Sequence, residues 1–170
     1  LEFRRVLFRS DIYGEAVNDR SGHSVSLSND GTMVAIGAPG VQDDDDGTSS
    51  IGYVRVYEWE SSDWVQKGSD LDSKAVGDRS GYSVSLSGDG KVVAMGVADN
   101  DSGGRVQICE WDDAGSKWSP KGNALNGENW FEMFGQQLSL SDDGTVVAVG
   151  AVLNDGNGAE SGNVRIFQWD

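Results

Sequence analysis

The densest set of potential ligands in the chain is Asp43-Asp44-Asp45-Asp46-Gly47. Carboxylate oxygens suit a hard cation, and calcium takes roughly six to eight oxygens around it. Neighbouring carboxylates on an extended backbone point to alternate sides, so the run converges on an ion only if the loop wraps around it. Two readings stay open, a solvated acidic loop and a calcium site at Asp43, Asp44, Asp45 and Asp46. His23 is the only histidine. A catalytic base needs a nucleophile and an orienting partner, and no residue pattern around His23 supplies them. The single cysteine, Cys109, has no disulfide partner within the chain and reads as core filler. With no paired Cys/His cluster and no phosphate-cradling glycine loop, no catalytic residue and no cofactor are assigned, calcium being the one ion the composition leaves open.

Repetition is the strongest signal. Ser21-Gly22-His23-Ser24-Val25-Ser26-Leu27-Ser28-Asn29-Asp30-Gly31 returns as Ser80-Gly81-Tyr82-Ser83-Val84-Ser85-Leu86-Ser87-Gly88-Asp89-Gly90. It returns again as Phe134-Gly135-Gln136-Gln137-Leu138-Ser139-Leu140-Ser141-Asp142-Asp143-Gly144. Each copy continues into Val-Ala-x-Gly at Val34, Val93 and Val147. The units run over about 11–69, 70–123 and 124–170.

Each unit reads as four strands. The first alternates Ser with Val or Leu, the period of a strand with two different faces. It ends at Asp30-Gly31, Asp89-Gly90 or Asp143-Gly144, where glycine accepts the positive φ of a tight turn. The second, such as Thr32 to Gly37, is nearly all apolar and must be buried on both faces. After a loop of variable length come Tyr53 to Trp59, Arg105 to Trp111 and Asn163 to Trp169. A fourth strand follows at Trp64 to Gly68 and at Trp118 to Gly122, where Pro120 is tolerable on an outer edge. The stretch from Ser69 to Ser80 then returns the chain to the start of the next unit.

Sheets buried on both faces need neighbours on both sides, and radial stacking provides them. The expected fold is therefore all-β, a partial β-propeller of three four-stranded antiparallel blades with the last one incomplete. Trp59, Trp111 and Trp169 close equivalent strands and are the expected packing anchors between blades, each able to remove roughly 200 Å² from water. Propellers close with about four to eight blades, so further blades in a longer chain are the expected partners of an arc whose two apolar flanks are otherwise exposed. The formal charge of −15 argues against nucleic acid as a partner. No apolar run is long enough for a transmembrane helix. Residues 1–10 share nothing with the repeats, and Arg5-Val6-Leu7-Phe8-Arg9-Ser10 resembles the translation of a sequencing-library adapter, so this segment is set aside as non-native.

Phe134-Gly135, Ile36-Gly37-Ala38-Pro39 and Gly52-Tyr53-Val54-Arg55-Val56-Tyr57 together resemble the FG-GAP repeat of integrin α-subunit propellers. The resemblance covers residues 11–170. It implies a propeller of about seven blades with adhesion or recognition of a protein or surface glycan through loops on one face, outside the cell or at its surface. In some FG-GAP repeats an Asp-x-Asp-x-Asp-Gly loop between the first two strands binds calcium. Here that hairpin is only Ser28-Asn29-Asp30-Gly31 and its copies, too few oxygens for the ion, so Asp30, Asp89 and Asp143 read as turn formers.

Overall fold

The computed structural model describes residues 11–40, 51–72, 78–97 and 103–169. Every regular element in these segments is a strand. Blade one comprises β1 (Ser24–Leu27), β2 (Met33–Ala38), β3 (Tyr53–Glu60), β4 (Asp63–Gln66) and β5 (Leu71–Asp72). Blade two comprises β6 (Ser80–Leu86), β7 (Val92–Val97), β8 (Arg105–Asp112), β9 (Lys117–Pro120) and β10 (Leu125–Asn126). Blade three comprises β11 (Phe134–Leu140), β12 (Val146–Ala151) and β13 (Asn163–Gln168). All ladders between these strands are antiparallel, running in order from the first strand of each blade outward.

The expected fourth strands are β4 and β9, and each is followed, in the stretch read as a connection, by a two-residue strand, β5 or β10. β4 pairs with the second half of β3 and β5 with its first two residues, and β9 and β10 divide β8 in the same way. The break falls at Gly68, whose φ is +79°. A Cβ there would lie 2.9 Å from both Trp111 and Trp118 of blade two. The outer strand therefore bends where the next blade's indoles press against it.

Two apolar clusters sit between the blades rather than inside any one of them. Met33, Ala35, Val54, Val56 and Leu71 meet Val84, Leu86, Val93, Met95, Cys109 and Trp118. Val92, Ala94, Val106 and Ile108 meet Phe134, Leu140, Val147, Val149 and Ala151. β7 illustrates the alternation, with Val93 and Met95 facing blade one while Val92 and Ala94 face blade three. Burial pushes the Cys109 thiol up to about 11, so it is an uncharged core group at neutral pH.

The first-strand hairpins share one hydrogen-bond pattern. Ser28 Oγ donates to Asp30 Oδ1 and accepts from the Met33 amide, while Asp30 Oδ1 accepts from the Thr32 amide. The same set recurs at Ser87, Asp89, Lys91 and Val92 and at Ser141, Asp143, Thr145 and Val146. Hydrogen bonds from the Ser141 hydroxyl and from Thr145 hold the Asp143 carboxyl down at about 2. Since that lies below its ordinary 3.8, the turn's contribution is complete above the ordinary value and is lost as pH falls through the folded one. Melting followed across that acid range should therefore show a fall in wild-type stability that is smaller in Asp143→Asn.

Candidate functional site

Antiparallel pairing sets Ser24 opposite Gly37 and Gly37 opposite Val54. The entry to the first strand, the exit of the second and the entry to the third therefore lie at one end of each blade. This end carries the long loops and the connections between blades. The Asp30, Asp89 and Asp143 turns lie at the other.

Three residues before the first-strand glycine, each repeat carries an acid that sequence reasoning missed. These are Asp19, Asp78 and Glu132. Asp19 accepts from the Glu15 and Ala16 amides and from the Tyr53 hydroxyl at 2.8 Å. Burial, then the bond to Asp19, pushes the Tyr53 phenol up to about 12. Asp78 is buried and pairs with Arg105. Glu132, 1% exposed, accepts from the Glu128 amide at 2.6 Å, from Asn154 Nδ2 at 2.6 Å and from Arg165 at 2.7 Å. The repeated spacing of an acid and a glycine was the available signal. It was masked by the change to glutamate in the third copy.

The anchors pin strained connections. Arg20, Arg79 and Met133, each immediately after its acid, have φ of +55°, +50° and +56°, and Asn18 and Phe131 before it are also left-handed. Such backbone persists in non-glycine residues only where its surroundings over-determine it. What the pinned connections present is apolar. Val17 is exposed in blade one, and Trp130 (75%) and Phe131 (61%) are exposed side by side in blade three. The neighbouring loop after β12 is tied down as well, by Asn154 to Glu132, by the Gly156 amide to Asn154 and by the Glu160 amide to Asp155.

At the axis, bulges in β6 and β11 bring Tyr82 and Gln136 beside His23. Together with Ser24, Ser83 and Gln137 they line a cleft of about 540 Å³. The His23 and Tyr82 rings are 4.7 Å apart. Ser24 and Ser83 direct their hydroxyls at the Gly81 and Gly135 carbonyls of the following blades rather than at His23. The cleft thus offers polar hydrogen-bonding groups and two aromatic rings.

Of the three expected tryptophan anchors, Trp111 packs 5.3 Å from Trp118 beneath the Lys67 ammonium of blade one. Trp169 packs on the second cluster, and Trp59 lies 5.3 Å from Trp64 within its own blade. The most buried indole, Trp118, was not singled out, and its Nε1 donates to the Lys67 carbonyl at 2.7 Å. Asp43, Asp44, Asp45 and Asp46 lie outside the described residues. Among the described residues, no group of three or more His, Cys, Asp or Glu side chains is placed to hold a metal ion, and no helix is long and apolar enough to cross a membrane.

Neither protein-family models nor curated proteins gave a match. Solved structures did. Sqt1 of Saccharomyces cerevisiae superposes with a TM-score of 0.54 at 15% identity, over 90% of this chain and 33% of its own. Hydrazine synthase of Kuenenia stuttgartiensis gives 0.52 at 15% identity, over 85% of this chain and 44% of its own. The chain thus spans less than half the length of either. At such identity the likeness is one of fold, and with the three stacked sheets it makes this chain a partial β-propeller.

Proposed function

We propose that the chain is a non-catalytic recognition module of FG-GAP-like repeats, binding a protein through its loop face at the cell surface or outside the cell. The observation that carries this reading is the exposed Trp130-Phe131 pair held on a connection pinned by buried Glu132. Exposed aromatics on a rigid support lose little entropy on binding, and such residues dominate interface energetics. The strands are committed to packing, which leaves recognition to the loops. The FG-GAP resemblance points to the same face and to adhesion, and the acidic surface favours a partner with basic character.

Purified candidate surface and matrix proteins, together with a glycan array, test this by surface plasmon resonance. Trp130→Ala should weaken protein binding by at least about tenfold while leaving the melting temperature unchanged, because the ring is largely outside the core. The rival reading is a propeller enzyme acting at the axis, for which the cleft beside His23 is the relevant feature. Turnover of any substrate that is lost in His23→Ala and indifferent to Trp130→Ala would overturn the proposal. Binding confined to glycans would replace the protein partner by a saccharide.

A further inference from the structure

Three times within this chain a cation sits over an aromatic ring with a carboxylate beside it. The Arg55 guanidinium lies 4.4 Å from the centre of the Tyr53 ring and pairs with Asp70 and Glu15. The Lys67 ammonium lies 4.8 Å from the centre of the Trp111 ring and pairs with Glu58. The Arg165 guanidinium lies 4.0 Å from the centre of the Phe134 ring and pairs with Glu132 and Glu128. In each set the negative face of the ring and the carboxylate share one positive charge.

Trp130 and Phe131 offer rings near carboxylates without the cation. Their connection is held from both sides by the chain itself. A Cβ on Gly103 of blade two would overlap the Asn129 carbonyl. On the side of blade three the Leu153 amide donates to the Glu132 carbonyl and Asn154 Nδ2 to its carboxylate. The exposure of the pair, 75% and 61%, therefore belongs to the seam between blades two and three and not to either flank of the arc. Residues 127–133 and the joined loop at 152–162 contain Glu128, Glu132, Asp155 and Glu160 and no Lys, Arg or His. Among the described residues the cation paired with these carboxylates is Arg165, which serves Glu128 and Glu132. Asp155 accepts from the Glu160 amide, and both residues stand exposed. The corner is thus net negative around two open aromatic rings.

We propose that the missing cation comes from the partner, and that the occupant of Trp130 and Phe131 is a basic polypeptide segment, with one Lys or Arg side chain over the indole and its basic neighbours facing Asp155 and Glu160. This rests on the recognition role given to the aromatic pair above and adds the chemistry of what is recognised. Tryptophan gives the strongest cation–π contact of the aromatic side chains. An acidic segment would meet like charge at the same place, which disfavours it as a partner. The rest of the chain, with a formal charge of −15, steers a basic segment toward its surface. Association is therefore fast and slowed by salt, while the ring sets how long the segment stays.

The 170-residue chain is titrated by calorimetry and stopped-flow fluorescence with a short peptide alternating arginine and serine, and with the same peptide carrying citrulline, the uncharged isostere of arginine. The arginine peptide should bind and the citrulline peptide should not. Trp130→Leu keeps the apolar bulk and the net charge but removes the ring face, and should weaken binding about fivefold through faster dissociation. The double variant Asp155→Asn/Glu160→Gln keeps the ring and should slow association and flatten its salt dependence. All these side chains are exposed, so each variant should melt with the wild type. Binding that Trp130→Leu leaves unchanged is attraction to the chain's charge at large and overturns the proposal. Equal binding of the citrulline peptide, or no binding of the arginine peptide, overturns it as well. None of these results touches capture of a whole protein that depends on Trp130, so the recognition role fails separately, when Trp130→Ala leaves that capture unaltered.

Discussion

Gly96→Val should unfold the arc, whereas Gly150→Val, at the same position of the next repeat, should leave a monomer as stable as the wild type. Both glycines lie in the second strand of their blade, opposite a residue of the first, and valine suits a strand at either place. The difference lies in what stands in front of them. A Cβ on Gly96 would overlap the Gly135 carbonyl oxygen and the Ser83 hydroxyl, and these two atoms are already hydrogen-bonded to each other at 2.7 Å. Neither can retreat without parting blades two and three, across which Ile108, Phe134 and Val147 are wholly buried. Overpacking of this kind typically costs about 1–3 kcal/mol, and more where backbone must move. A loss of at least about 3 kcal/mol is therefore expected for Gly96→Val. Denaturant titration checks the pair. Equal losses at the two positions would mean that the close approach of Gly96 to Gly135 contributes nothing.

This contrast also marks what the sequence makes legible. Val-Ala-x-Gly is visible in all three copies, and its apolar run correctly implies a strand covered on both faces. Why a glycine must end it depends on the bulged strand of another blade, some forty residues away, which no local pattern describes. The hairpins are the opposite case. Ser, Asp and Gly at fixed spacing write the whole turn within a few residues, and the geometry at Ser28, Ser87 and Ser141 is the same in each copy.

The outer strands were harder to read because their environment is set by the following blade. Trp59, Trp111 and Trp169 stand out by recurring three times, yet Trp118 is the better buried. The reason is local to the junction, where both indoles meet the bare backbone at Gly68 and Trp118 in addition donates its Nε1 to the Lys67 carbonyl. The acidic anchors were hidden for a related reason. Asp19, Asp78 and Glu132 occupy one repeat position, but their partners come from different ones. Tyr53 and Arg105 begin the third strand, whereas Arg165 sits two residues further along it. Comparing repeats exposes residues that are alike, and these contacts are conserved in role while their chemistry changes.

Removing the third anchor should have the largest effect on the loop face. Glu132→Ala takes the buried carboxylate away from the Arg165 guanidinium and the Asn154 amide, and breaking a buried pair in this way costs roughly 3–5 kcal/mol. Arg165 has little compensation available. Its Nε is already buried without a partner, and Glu128, its other carboxylate at 3.1 Å, is 68% exposed. Burial alone would raise the Glu132 pKa, but bonds from Asn154, the Glu128 amide and Arg165 outweigh it and hold the carboxyl below its ordinary 4.5. Its contribution is therefore present above that value and is lost as pH falls through the folded one. Wild type should lose stability over that acid range, and Glu132→Gln, already uncharged, should start lower and change less. Gln cannot repair the site, since its amide nitrogen must face one of the donors that the carboxylate satisfied. The double variant Glu132→Leu/Arg165→Met replaces charge by apolar volume and should regain most of the stability. It should not regain ligand binding, because the Asn154 bond that ties the two loops beside Trp130 and Phe131 stays broken. Calorimetry for stability and surface plasmon resonance for binding separate the two roles, and recovery of both in the double variant would show that the anchor supports the fold but does not position the aromatic pair.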